Sequence, residues 1–167
     1  MSTETPPQPS ARTSWADLHA AEPDFADLVR ARFQQYLHHV LATLRKDGSP
    51  RVSGLEVTFR DGELYLGMMQ DSWKAKDLLR DPRFALHGNP GEGDTASRLG
   101  DVRVSGRAVP VTDPEEFSRF VAGVRPPEPF HLFRADLTEV VRTSVEGDEL
   151  VVRAWRPGAA IRTHRRL

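Results

Sequence analysis

A chain of 167 residues can bury one sizeable core, and its net charge of −1 offers none of the basic excess that general nucleic-acid binding needs. It contains no cysteine, which excludes disulfides, thiolate nucleophiles and thiolate metal sites. No apolar run approaches membrane-spanning length, so no membrane partner is expected.

Residues 1–13, MSTETPPQPSART, are polar and Pro-rich and lack the apolar stretch of a signal peptide. They are predicted to be a disordered N-terminal tail on a cytoplasmic protein. Ser14 caps a short turn through Trp15, Leu18 and His19. Pro23 and Asp24 then open a longer helix, in which Phe25, Leu28, Val29, Arg32, Phe33 and Tyr36 are spaced for one stripe. A first strand is predicted over residues 38–45, closed by the turn Lys46-Asp47-Gly48-Ser49-Pro50.

In the next strand Arg51, Ser53, Leu55, Val57 and Phe59 share one face, with Arg51 and Ser53 at its polar end. Arg60-Asp61-Gly62-Glu63 is a hairpin turn, because Asp-Gly readily takes positive φ at both central positions. The returning strand puts Leu64, Leu66 and Met68 on one face and Tyr65, Gly67 and Met69 on the other. A glycine such as Gly67 inside a strand marks a place where a ligand or another backbone comes close. Ser72 is a helix N-cap, and Ala75, Leu78 and Leu79 give the helix an apolar stripe. Lys74 then sits in the first helical turn beside free backbone N–H groups. A cation is disfavoured there unless an anion binds, or unless Lys74 simply points into water.

Strands follow over residues 83–87, 101–111, 130–145 and 150–155, with a long loop at 88–100, a helix from about 113 to 121 and a hairpin turn at Glu146-Gly147-Asp148-Glu149. Val102, Val104, Gly106 and Ala108 face one way. Some seven strands, mostly joined by hairpins, predict an antiparallel barrel rather than a parallel sheet. No Gly-rich dinucleotide or P-loop fingerprint is present. His38 and His39 are adjacent on a strand, point to opposite faces and do not make a metal pair.

The ordered set of a strand opening with Arg51, a hairpin, Ser72-Trp73-Lys74 and a helix ending in Asp81-Pro82-Arg83 resembles the pyridoxamine 5'-phosphate oxidase-like family. The resemblance runs from about residue 38 to 155 and is strongest over 49–86. It implies a mainly β, antiparallel, Greek-key-like split β-barrel with peripheral helices. That domain would span residues 14–158, with 159–167 as a basic C-terminal tail. It further implies a homodimer with a small-molecule substrate, and an oxidoreductase transferring hydride to or from bound FMN. Members using the deazaflavin coenzyme F-420, and flavin- or haem-binding proteins without turnover, remain the alternatives.

By position, Arg51, Ser72 and Lys74 would hold the cofactor phosphate, with Ser53 beside them. Gly67 and Met68 would lie along the flavin, and Trp73 would stack on or shield a ring. On the substrate side the candidates are His87, Trp155 and Arg156. Pyridoxamine phosphate oxidases usually have a second basic residue where this chain has Trp73. They also have an Arg-Leu-Ala-Pro-like segment where it has Arg153-Ala154-Trp155-Arg156-Pro157-Gly158. Vitamin B6 oxidation is therefore not expected.

Overall fold

The computed structural model describes residues 11–92 and 100–167. Its first helices form where the caps dictate. The Ser14 hydroxyl accepts from Asp17 N–H at 3.2 Å and the Asp17 carboxylate accepts from Ser14 N–H at 2.8 Å, a reciprocal box that opens α1, Trp15–Ala21. Pro23 opens α2, Pro23–Gln34. Both helices bury Trp15, Leu18, Phe25, Ala26, Val29 and Phe33 in the main core with strand residues such as Leu41, Leu64, Leu66, Leu86 and Val104. Each fully buried side chain of this kind contributes about 1.5–3 kcal/mol.

Among the described residues, nine strands form one antiparallel sheet: β1 (His39–Leu44), β2 (Pro50–Leu55), β3 (Val57–Arg60), β4 (Glu63–Met69), β5 (Arg83–His87), β6 (Asp101–Pro110), β7 (Phe130–Glu146), β8 (Glu149–Trp155) and β9 (Arg162–Arg166). The order is β2-β1-β5-β6-β7-β4-β3, with β8 and β9 continuing from β7. Helices α3, Trp73–Arg80, and α4, Pro114–Val124, cover corners.

The strand expected to carry Arg51 through Phe59 on one face is broken. Only Glu56 separates β2 from β3, yet β2 pairs with β1 and β3 with β4, at opposite ends of the seven-strand path. A one-residue link between the two ends requires the sheet to curl round on itself. The result is a barrel that stays split, because β2 and β3 are not paired.

The Asp61-Gly62 turn has φ of 50° and 74° at its central residues, as the dipeptide predicts. In β6, Val102, Val104, Gly106 and Ala108 are all buried. A bulge at Ser105/Gly106 shifts the register against β7, and a Cβ on Gly106 would lie 2.2 Å from the Asp136 carbonyl oxygen. Only glycine fits there.

Two expectations about the ends change. Within the basic C-terminal tail expected at 159–167, residues 162–166 stay exposed but pair with β8 as β9. Of the expected N-terminal tail, residues 1–10 lie outside the described residues. Arg12 is bidentate on Glu63, and Thr13 N–H donates to Asp136 Oδ1 at 2.8 Å. Residues 93–99 of the expected loop likewise lie outside the described residues. Its stems are held by Arg32, which is 4% exposed and donates to the Gly100 and Pro90 carbonyls at 2.8 and 2.9 Å. Among the described residues, no helix is long and apolar enough to cross a membrane.

A candidate anion and ring site between the split strands and helix α3

Helix α3 starts as its sequence predicts. Asp71 takes φ of 60°, turning the chain out of β4, and the Ser72 hydroxyl accepts from Ala75 N–H at 3.4 Å. This leaves the Ser72 O–H free to donate elsewhere. The first turn carries no acidic residue. Lys74 reaches back across it, and its Nζ donates to the Gly54 carbonyl on β2 at 2.6 Å. Burial pushes the Lys74 ammonium below its ordinary pKa.

The helix is fastened to the sheet by Asp77. Its carboxylate is 2% exposed and accepts from Arg51 Nε at 2.7 Å, Thr43 Oγ1 at 2.8 Å and Arg80 Nη2 at 3.0 Å. Burial alone would raise its pKa, but the hydrogen bonds from Arg51, Thr43 and Arg80 outweigh this and hold it below the ordinary carboxylate value. Sequence reasoning gave Asp77 no role and so missed it. Position on the helix gave no signal, because Asp77 lies two residues from Ala75 and so off the Ala75–Leu78 stripe, yet it is buried.

Arg51 therefore has a structural partner that the sequence did not reveal. Its Nε is committed to Asp77, while its two terminal nitrogens donate to nothing among the described residues. Its guanidinium carbon stands 5.5 Å from the Trp73 ring centroid, and Lys76 Nζ stands 5.0 Å from the same centroid. Trp73 is 67% exposed, with cations rather than a neighbouring ring against it. Ser53 lies on the same face of β2 as Arg51, and its Oγ is buried with no hydrogen-bond partner among the described residues.

Beside this cluster lies a cleft of about 480 Å³. Gly54, Gly67, Met68 and Lys74 line one side, and Phe120 and Pro126 stand opposite. A Cβ placed on Gly54 or Gly67 would meet nothing within 4 Å, so the cleft is open above both. Helix α4 makes the far wall because Phe120 packs with Tyr65 and Leu132 in a second, smaller core on the other face of β4 and β7. A second hollow of about 430 Å³, lined by Phe33, Tyr36 and His39, meets the first at Thr58.

The candidate residues thus fall into three groups. Lys74, Gly67 and Met68 share the cleft. Arg51 and Ser53 stand on β2, and Ser72 and Trp73 at the start of α3, outside the cleft lining. The substrate-side candidates are elsewhere. Trp155 is 2% exposed in the main core, and Arg156 is paired with Glu139 at 2.9 Å on the surface. The His87 ring contacts the Gly88 carbonyl from the end of β5. None of the three lines the cleft of its own chain, and Trp155 serves packing.

A family model described as pyridoxamine 5'-phosphate oxidase matches residues 23–143, most of the chain and all of this site. The chain belongs to that family. None of the curated proteins matches it. Among solved structures, Campylobacter jejuni ChuZ aligns at 15% identity and a TM-score of 0.62, over 81% of this chain and 61% of that one. This member of the oxidase family therefore spans less than two thirds of ChuZ. Burkholderia lata PhzG, solved with tetrahydrophenazine-1-carboxylic acid, aligns at 16% identity and a TM-score of 0.57, over 89% and 90% of the two chains. The Vibrio cholerae haem storage protein HutZ aligns at 18% identity and 0.50, over 70% and 89%. At such identities the likeness shows a common fold, which a haem storage protein and a haem-binding protein share.

Proposed function

We propose that this chain is a cytoplasmic flavoprotein oxidoreductase that binds FMN, with residues 14–158 as the binding unit. The observation that carries the reading is the unbalanced set of donors at the start of α3. Lys74 is partly desolvated on the cleft rim, and Arg51 keeps two donor nitrogens uncommitted. Ser53 Oγ is buried without a partner, and the Ser72 hydroxyl can still donate. A phosphate monoester would satisfy all of them at once.

In this reading Arg51, Ser53, Ser72 and Lys74 hold the phosphate, and the glycine-floored cleft along Gly67 and Met68 takes the ring. When bound, the flavin supplies the hydride chemistry. The protein holds it in place, and the Gly67–Met68 floor keeps water from one face. Trp73 screens the phosphate end, because its ring already holds Arg51 and Lys76 in place. A second copy of the chain covers the split side of the barrel, since open barrels expose unpaired strand edges.

FMN is preferred over the deazaflavin coenzyme F-420, whose longer anionic tail needs further cations. Arg80 is committed to Asp77 and the Leu44 carbonyl, and Arg165 to Glu146 and Glu149. Haem is a weaker alternative supported by the fold shared with HutZ. The test is FMN titration of the wild-type chain and of Lys74→Ala. A charge-assisted contact is worth about 1.5–3 kcal/mol, so affinity should fall about tenfold or more with the fold intact. Equal affinities would remove the reading. A Soret band in the purified protein in place of flavin absorption would favour haem.

A further inference from the structure

The cleft has two chemically different walls. The β2 side presents Lys74, Glu56 and His38, with Glu56 and His38 paired at 3.6 Å. The opposite wall is the end of α4 and the connection after it: Phe120, Val124, Pro126, Pro127 and Phe130. No side chain on that wall carries a charge or a hydrogen-bonding group.

The wall is fixed by its own packing. Phe120 lies 5.1 Å from the Tyr65 ring, and Phe130 stacks on Phe117 at 5.0 Å and 18°. None of the nearby cations, Arg60, Arg125 and Arg134, lines this wall. Arg134 pairs with Glu116 at 3.4 Å, and the Arg60 guanidinium lies against Gly123 and pairs with Asp61 at 3.6 Å. A carboxylate or phosphate pressed against this wall would lose its hydration and gain no partner. A flat apolar ring would lose nothing and would bury its face against the aromatic and proline side chains.

We infer that this half of the cleft takes an uncharged aromatic ring compound and rejects ring compounds bearing a carboxylate or a phosphate. The inference rests on the flavin reading, which assigns the anion donors of the other wall to the cofactor and leaves this wall to the second ligand.

A matched pair of probes tests it on the full chain, with and without FMN: 2-naphthol, which is neutral at pH 7, and 2-naphthoate, which is anionic. By calorimetric or fluorescence titration, 2-naphthol should bind about tenfold tighter or better, the discrimination expected when a charge is left unpaired. Val124 is 39% exposed and Pro127 is exposed, so Val124→Asp and Pro127→Asp should fold, which circular dichroism checks. Each should weaken 2-naphthol several-fold while leaving FMN affinity unchanged. The inference is overturned if 2-naphthoate binds as tightly as 2-naphthol, if neither probe binds, or if both variants leave 2-naphthol unaffected. These failures are separable from failure of the flavin reading, which the FMN titrations report independently.

Discussion

Replacing Asp77 by alanine should be the most damaging single change at the site, although Asp77 touches no proposed ligand. Its carboxylate is 2% exposed and holds three donors, two of them cations, so it joins β1, β2 and α3 at one point. Removing one member of a buried ion pair costs about 3–5 kcal/mol, because the partners are left unsatisfied. Here the side chains of Arg51 and Arg80 are 21% and 38% exposed and can rehydrate in part, which moves the expected loss to the low end, about 3 kcal/mol. For a chain of this size that corresponds to a drop in Tm of about 6–12 °C. Urea denaturation of Asp77→Ala, Arg51→Met and the double variant isolates the pair, and a coupling of about 1–3 kcal/mol is expected. A loss below about 1 kcal/mol for Asp77→Ala, with no coupling to Arg51, would refute the reasoning. Acid carries a related signature. Because the folded pKa of Asp77 is depressed, its contribution is full above the unfolded carboxylate pKa of about 4 and is lost as pH falls through the folded value. In Asp77→Asn that part of the acid dependence should disappear from denaturation curves.

Other perturbations have equally definite outcomes. Arg32→Met should cost about 2–4 kcal/mol in chemical denaturation, since the buried Gly100 carbonyl loses its donor and the Pro90 carbonyl loses a second anchor. His39 is buried and accepts from Asn89 N–H at 3.0 Å, and burial pushes its pKa below the ordinary value. The unfolded chain therefore takes up the proton first. Stability should fall as pH drops below about 6.5, and a His39→Phe variant should lose that slope in melts from pH 7.5 to 5. Gly106→Ala should fail to accumulate as folded protein, because its Cβ would meet the Asp136 carbonyl at 2.2 Å; a soluble variant with an unchanged Tm would contradict this.

The parts of the fold legible in the sequence were those set by neighbours along the chain. The Asp61-Gly62 hairpin, the buried face of β6 and the Ser72 cap each follow from a few adjacent residues. What escaped was decided at long range. The period-2 pattern runs from Arg51 to Phe59 without a flaw, so nothing local announces that the strand changes partners at Glu56. Arg32 falls in the apolar stripe of α2 and is buried, but the two backbone carbonyls it holds lie 58 and 68 residues away. Residues 162–166 contain no apolar residue, and only pairing with β8 makes them a strand. At the site, the residue types at the start of α3 were readable. The capture of Arg51 by Asp77 and the apolar wall from α4 were not, because both depend on packing between separate elements.

The one-residue handover at Glu56 also bears on the order in which the barrel can assemble. β1 with β2, and β3 with β4, are local hairpins whose closure needs only short loops. Pairings of β1 with β5 and of β4 with β7 span far longer stretches of chain and carry a larger entropy cost before any contact rewards it. With a single residue between the two hairpins, each arrives at the other's side already formed. The search that remains is for β6 and β7 to bridge them, which makes the long β7 strand the element whose docking should limit the folding rate.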